Sequence, residues 1–196
     1  MPNQGATFVW RDLHGVDVEA VWALHGAGRS SDAVRHLSRL TGLADYETNE
    51  QAGIVVDLYY NALAWCHTVA LSKAKASVVF AIVKDVHAAA VAPESDLAST
   101  FATFKALVKK HAVFDPPESA VIFSLDDVRL VTEYVTRTFF HHFHLYRHVV
   151  VHGQDKDRTH VPVFLETAMD PPPLLAFIEE DEYVASVADA DAKRAA

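Results

Sequence analysis

The chain has 196 residues, of which 51% are hydrophobic, and carries 26 acidic and 17 basic side chains for a formal charge of −9. That is enough apolar material for one domain, or one domain with a tail, to bury a sizeable core. The acid excess, with no basic cluster denser than Lys109-Lys110, argues against a nucleic-acid binder and against a polybasic membrane anchor.

The single cysteine, Cys66, can form neither an intrachain disulfide nor a CxxC zinc site, so a reducing compartment is expected. The opening residues Met1–Gly5 carry neither a basic start nor an apolar run, and no secretory leader is expected. No apolar stretch reaches the roughly 20 residues that a membrane span needs. Only seven glycines are present, few for a fold built on βα turns, and alanine is abundant. Both features favour an all-α fold.

In chain order, Asp17 is expected to cap a helix over Val18–Leu24 that stops at His25-Gly26-Ala27-Gly28. Ser30-Ser31-Asp32 then caps a second helix, Ala33–Leu40, ended by Gly42, with Val34, Leu37 and Leu40 on one face. The pair reads as a helical hairpin. Residues Glu50–Leu71 form the clearest helix, with Val55, Leu58, Ala62, Trp65 and Val69 as its stripe. Tyr59, Leu63 and Cys66 widen that face, so this helix is expected to sit centrally. Ser72 caps a helix over Lys73–Val91, with Lys73, Lys75, Lys84 and Asp85 facing water, and Pro93 ends it. Glu94–Asp96 opens a helix to His111 whose core face is Leu97, Phe101, Phe104, Leu107 and Val108. Asp115-Pro116-Pro117 breaks it, and Ala120–Phe123 is a short β-like run. Ser124 or Asp126 caps a long aromatic helix, Val128–Val149. Beyond His152-Gly153 the chain turns charged and loop-like, Val161–Leu165 reads as extended, and Pro171-Pro172-Pro173 closes the compact part. A short amphipathic helix over Leu174–Tyr183 and a frayed tail over Ala185–Ala196 complete the chain. The expected fold is therefore a compact all-α domain of about six helices over residues 1–170, with an extended acidic and Ala-rich C-terminal tail over 171–196.

Few motifs point to chemistry. Gly26-Ala27-Gly28 follows a helix and lacks a third glycine, so it reads as a helix stop and not as a dinucleotide fingerprint. Cys66 and His67 are helix neighbours whose side chains diverge by about 100°, which does not make a catalytic dyad. Asp126-Asp127 and Glu179–Glu182 read as a helix start and a solvated acidic face. His141, His144 and His148 share a helical face, and His144 with His148 has the HxxxH spacing that can grip zinc. No glutamate stands where HExxH chemistry needs it, and Asp155 and Asp157 fall in a loop. An aromatic helix with surface imidazoles is the simpler account. A His-dependent metal-binding bundle or small metalloenzyme is the alternative from another class, and a free adaptor reading a helical peptide in a groove is a third.

The run Tyr134-Val135-Thr136-Arg137-Thr138-Phe139-Phe140-His141-His142-Phe143-His144-Leu145-Tyr146-Arg147-His148-Val149 resembles the signature of a family of cilia- and flagella-associated proteins. That family includes coiled-coil-domain-containing members of sperm flagella and small subunits of the axonemal central apparatus. Val56–Cys66 and Val79–His87 are compatible with it, and the similarity spans roughly Phe8 to Leu165. The chain departs from the pattern at His141, where Arg is expected, and lacks the long coiled-coil extension of larger members. The resemblance implies an axonemal, non-catalytic part in a projection from a central-pair microtubule. It implies partners that include a large scaffold protein, related small helical subunits and calmodulin, with no cofactor, nucleic acid or membrane. Aromatic and Arg side chains commonly anchor interfaces, and Phe140, His144, Tyr146, Arg147 and His148 are the expected partner contacts.

Overall fold

The computed structural model describes residues 8–113, 121–152 and 178–195. The chain divides into two compact units, Met1–Asp155 and Lys156–Ala196. Among the described residues every regular element is helical and there is no strand.

The first unit begins with α1 (Gly15–Gly26) and α2 (Ser30–Thr41). Asp17 lies inside the first turn of α1, where its carboxylate accepts from the His14 backbone N–H at 3.1 Å. Helix α1 ends at the expected glycines, and Gly28 takes the left-handed φ of +72° that the reversal needs. Helix α2 starts at Ser30, three residues earlier than expected, and closes on Gly42 at φ +75°. Of its expected face only Leu37 is buried, joined by Ala33, whereas Leu40 is exposed.

Helix α3 (Glu50–Thr68) is capped by Asn49, whose Oδ1 accepts from the Gln51 and Ala52 N–H groups at 3.1 and 3.4 Å. Its buried residues are Ala52, Val56, Leu58, Tyr59, Ala62, Leu63 and Cys66. Leu58 and Ala62 of the expected stripe are buried together with Tyr59, Leu63 and Cys66, which were expected to widen it, whereas Val55, Trp65 and Val69 are only half-buried. Helix α4 (Lys73–Ala90), capped by Ser72, is the central element. It buries Ala76 to Val83 without a break, then Val86, His87 and Ala90, and it packs against α1, α3 and α5. Lys84 and Asp85 lie on its partly exposed side, as expected, and both are ion-paired there. Lys84 Nζ lies 2.6 Å from Asp12, and Arg11 grips Asp85 at 2.7 and 2.9 Å. Buried Ser77 donates to the Leu13 carbonyl at 2.9 Å and accepts from the Trp10 N–H at 3.1 Å. Together these contacts strap residues 8–13 across α4.

Helix α5 (Leu97–Ala112) carries a capping box in which Asp96 accepts from the Ser99 N–H at 2.7 Å and its own N–H donates to Ser99 Oγ at 3.1 Å. The Asp115-Pro116-Pro117 breaker lies outside the described residues. Of the expected β-like run, residues 121–123 are described and form no strand; the Ile122 and Phe123 N–H groups both donate to the His111 carbonyl, at 2.8 and 3.0 Å. Helix α6 (Leu125–Thr138) is capped by Ser124, not Asp126. Asp127 closes the box on the Ser124 N–H at 2.7 Å and binds Lys75 Nζ of α4 at 2.6 Å.

The long helix expected to run to Val149 is broken. Helix α6 stops at Thr138, a 3-10 turn covers Phe140–His142, and α7 (Phe143–His152) follows. The 3-10 spacing re-phases the side chains that come after it. Phe139 and Phe143 are both buried while Phe140 leans on α5. His142 Nδ1 sits 2.8 Å from the Thr138 carbonyl and occupies one of the acceptors the break sets free.

In the second unit the only described element is α8 (Glu180–Ala195). It covers most of the segment expected to fray, in keeping with its alanines and its acids-first, bases-last charge order. The described side chains of α8 are all exposed. The boundary expected at 170/171, Val161–Leu165 and the Pro171–Pro173 run lie outside the described residues.

Candidate functional site

The start of α5 and the α6–α7 junction face each other across an open groove of about 750 Å³. It is lined by Leu97, Ala98 and Phe101 on one side and by Thr136, Phe140, His141 and His144 on the other, with Asp96 at the α5 end. Two local features hold the walls in place. The Asp96 cap fixes where α5 begins. Arg147 reaches back from α7 to donate to the Ser95 carbonyl and, at 3.2 Å, to the Pro93 carbonyl, tying α7 to the α4–α5 loop. The floor is aromatic. Phe140 meets Phe101 edge-on with ring centres 5.1 Å apart and lies 5.6 Å from buried Phe104. Leu97, 44% exposed in the first turn of α5, stands on the rim.

The five expected contact residues divide by position. Phe140 and His144 line the groove, and His144 and His148 are both exposed. Tyr146 is half-buried and stacked on Phe139 with ring centres 5.2 Å apart; burial, with Asp57 nearby, raises its phenol above the usual range. Arg147 is engaged with the carbonyls named above. Tyr146 and Arg147 thus make internal contacts that fix α7. Leu97 and Phe101 were read as core, and the structure puts them at the groove. Their helical spacing is the same for core and rim, so periodicity alone could not separate the two.

Among the described residues no group of three or more His, Cys, Asp or Glu side chains converges to hold a metal ion. Asp155 and Asp157 are outside those residues. Cys66 is fully buried, and burial pushes its thiol far up, so it is a poor nucleophile. One polar chain went unnoticed in the sequence: His25 Nδ1 lies 2.8 Å from the Tyr60 hydroxyl, which donates to Ser30 Oγ at 2.9 Å. The phenol separates the imidazole from the serine, so His25 is not placed to take the serine proton. No described helix is long and apolar enough to cross a membrane.

Residues 61–158, which are 98 of the 196, match the CLAMP family model, described as flagellar C1a complex subunit C1a-32. The match contains α4, α5, α6 and α7 and every residue of the groove, whereas α1 and α2 fall outside it. It also contains the whole 134–149 run on which the resemblance to flagella-associated proteins rests, though it is narrower than the span from Phe8 to Leu165. The chain belongs to the CLAMP family of flagellar C1a complex subunits, and its place is the central apparatus of the flagellar axoneme.

Proposed function

We propose that this C1a complex subunit is non-catalytic and works by binding neighbouring subunits in a complex that contains a large scaffold protein, related small helical subunits and calmodulin. The observation that carries this reading is the open aromatic groove, which lies wholly inside the family-matched region. An open apolar groove walled by two helical segments favours a protein ligand. Phe140 and His144 make the contact, with His148 further along the exposed side of α7. Tyr146 and Arg147 keep that surface in register.

Calmodulin reaches the complex through another subunit. Its usual target is a basic amphipathic helix, and α5, with Lys105, Lys109 and Lys110, is the nearest match. The apolar face of α5 is already spent on the domain core, because Thr100, Phe104, Val108 and His111 are buried. Affinity purification of the tagged chain from isolated axonemes tests the proposal. A large scaffold protein, small helical subunits and calmodulin are expected together in the eluate. Recovery of the chain alone from solubilised axonemes contradicts it.

A further inference from the structure

Charge is strongly segregated along this acidic chain. All 26 acidic residues lie outside two segments, 97–113 and 134–154. Those two segments hold Lys105, Lys109, Lys110, Arg137 and Arg147, together with His111, His141, His142, His144, His148 and His152. They are separated in sequence, yet the fold sets them against each other, since α5 and the α6–α7 junction are the two walls of the groove. Lys105, one turn beyond Phe101 on α5, holds its Nζ 5.7 Å from the centre of the Phe101 ring, beside the groove lining. His141 and His144 line the opposite wall. Arg137, next to Thr136, is paired with Glu133 at 3.2 Å. The one carboxylate on the lining, Asp96, is occupied as the cap of α5.

The groove therefore combines an aromatic floor with a rim of nitrogen donors, in a chain whose other segments carry a large excess of acids over bases. Carboxylates of a ligand meet donors at this rim and a net acidic charge over the rest of the chain. A basic ligand is drawn to the rest of the surface and away from the groove. Five Lys and Arg side chains spread over three helices are too few for the phosphate contacts of a nucleic acid.

We propose that this groove takes an acidic amphipathic helix of another subunit, its apolar residues on Leu97, Phe101 and Phe140 and its carboxylates on His141, His144 and Lys105. The proposal rests on the reading of the chain as a subunit held by its neighbours. It names the chemistry of one such neighbour and tells that neighbour from the rest.

The test uses the purified full chain and fluorescent helical peptides of about 18 residues, roughly five turns. One is a Leu/Ala/Glu amphipathic peptide, the second replaces each Glu with Lys, and the third is an unpatterned Glu-rich peptide of equal charge. A short DNA duplex is a further arm. Anisotropy titrations at physiological salt compare wild type with Leu97→Ser and His144→Glu. Both sites are exposed, and circular dichroism checks that both variants keep the fold. The acidic amphipathic peptide is expected to bind wild type, and each substitution is expected to weaken it by roughly tenfold or more. The Lys and unpatterned peptides are expected to bind at least about tenfold more weakly. Absence of binding, equal binding to the variants, equal or tighter binding of either control peptide, or tightest binding of the duplex overturns the proposal. So does sedimentation showing a wild-type dimer that His144→Glu dissolves, because the occupant is then a second copy. Any of these results leaves recovery of the chain with its axonemal complex unaffected, so the two readings fail separately.

Discussion

His111 should make this domain sensitive to acid. Its side chain is fully buried at 0% exposure, packed between Phe8 with ring centres 4.8 Å apart and Phe123 at 6.4 Å, and neither ring nitrogen has a hydrogen-bond partner. Burial, with Lys110 and Arg11 nearby, lowers its pKa from 6.5 to about 4. Above the unfolded value both states are neutral and His111 contributes no pH dependence. As pH falls below it, the unfolded chain takes up a proton that the folded chain refuses, and stability drops by about 1.4 kcal/mol per pH unit until the folded pKa is reached. The full loss is roughly 3 kcal/mol, a large share of the stability of an ordinary domain. The perturbation is His111→Phe, with His111→Leu as a second variant so that the outcome does not depend on the fit of one ring. Neither touches the His111 carbonyl that accepts from Ile122 and Phe123. The assay is urea unfolding of wild type and both variants between about pH 7 and about pH 4.5, where linkage gives a difference of roughly 2–3 kcal/mol. Each variant should gain that amount on wild type across the range. Stability curves that run parallel to wild type refute the argument, whatever the offset at neutral pH.

Asp127→Ala removes both the Ser124 capping box and the Lys75 ion pair. It should cost about 2–4 kcal/mol in urea unfolding. Phe139→Ala empties a fully packed site at the break between α6 and α7 and should cost about 3–5 kcal/mol in the same assay. Arg147→Ala frees the Pro93 and Ser95 carbonyls from α7. Global stability should fall by only about 1–2 kcal/mol, while amide exchange in α7 speeds up more than in α4.

The helix set was legible because its punctuation is local. Ser72, Asp96 and Ser124 cap as side-chain chemistry dictates, and Gly28 and Gly42 take the left-handed turns. Which helix lies at the centre was not legible. Both α3 and α4 are broadly apolar, and the choice depends on Asp12 and Arg11, distant in sequence, covering Lys84 and Asp85 of α4. The break after Thr138 carries no Gly or Pro, and the burial of Phe139 and Phe143 that accompanies it is a property of tertiary packing. The groove was half visible. Phe140 and His144 stood out by residue type, whereas Leu97 and Phe101 reach it only because α5 lies against the α6–α7 junction. The two acid-free segments can be read in the sequence, but not that they face each other.

The most direct test of the account follows the chain within the flagellum. Tagged wild-type chain and a Leu97→Ser, His144→Glu double variant are expressed in flagellated cells, and extracts of isolated axonemes are sedimented. Wild type should travel in a large complex with other central-apparatus subunits, and the folded double variant should shift to the position of a free small protein. A wild-type chain that sediments alone, or one absent from axonemes, contradicts the claim that this protein works as a docked structural subunit.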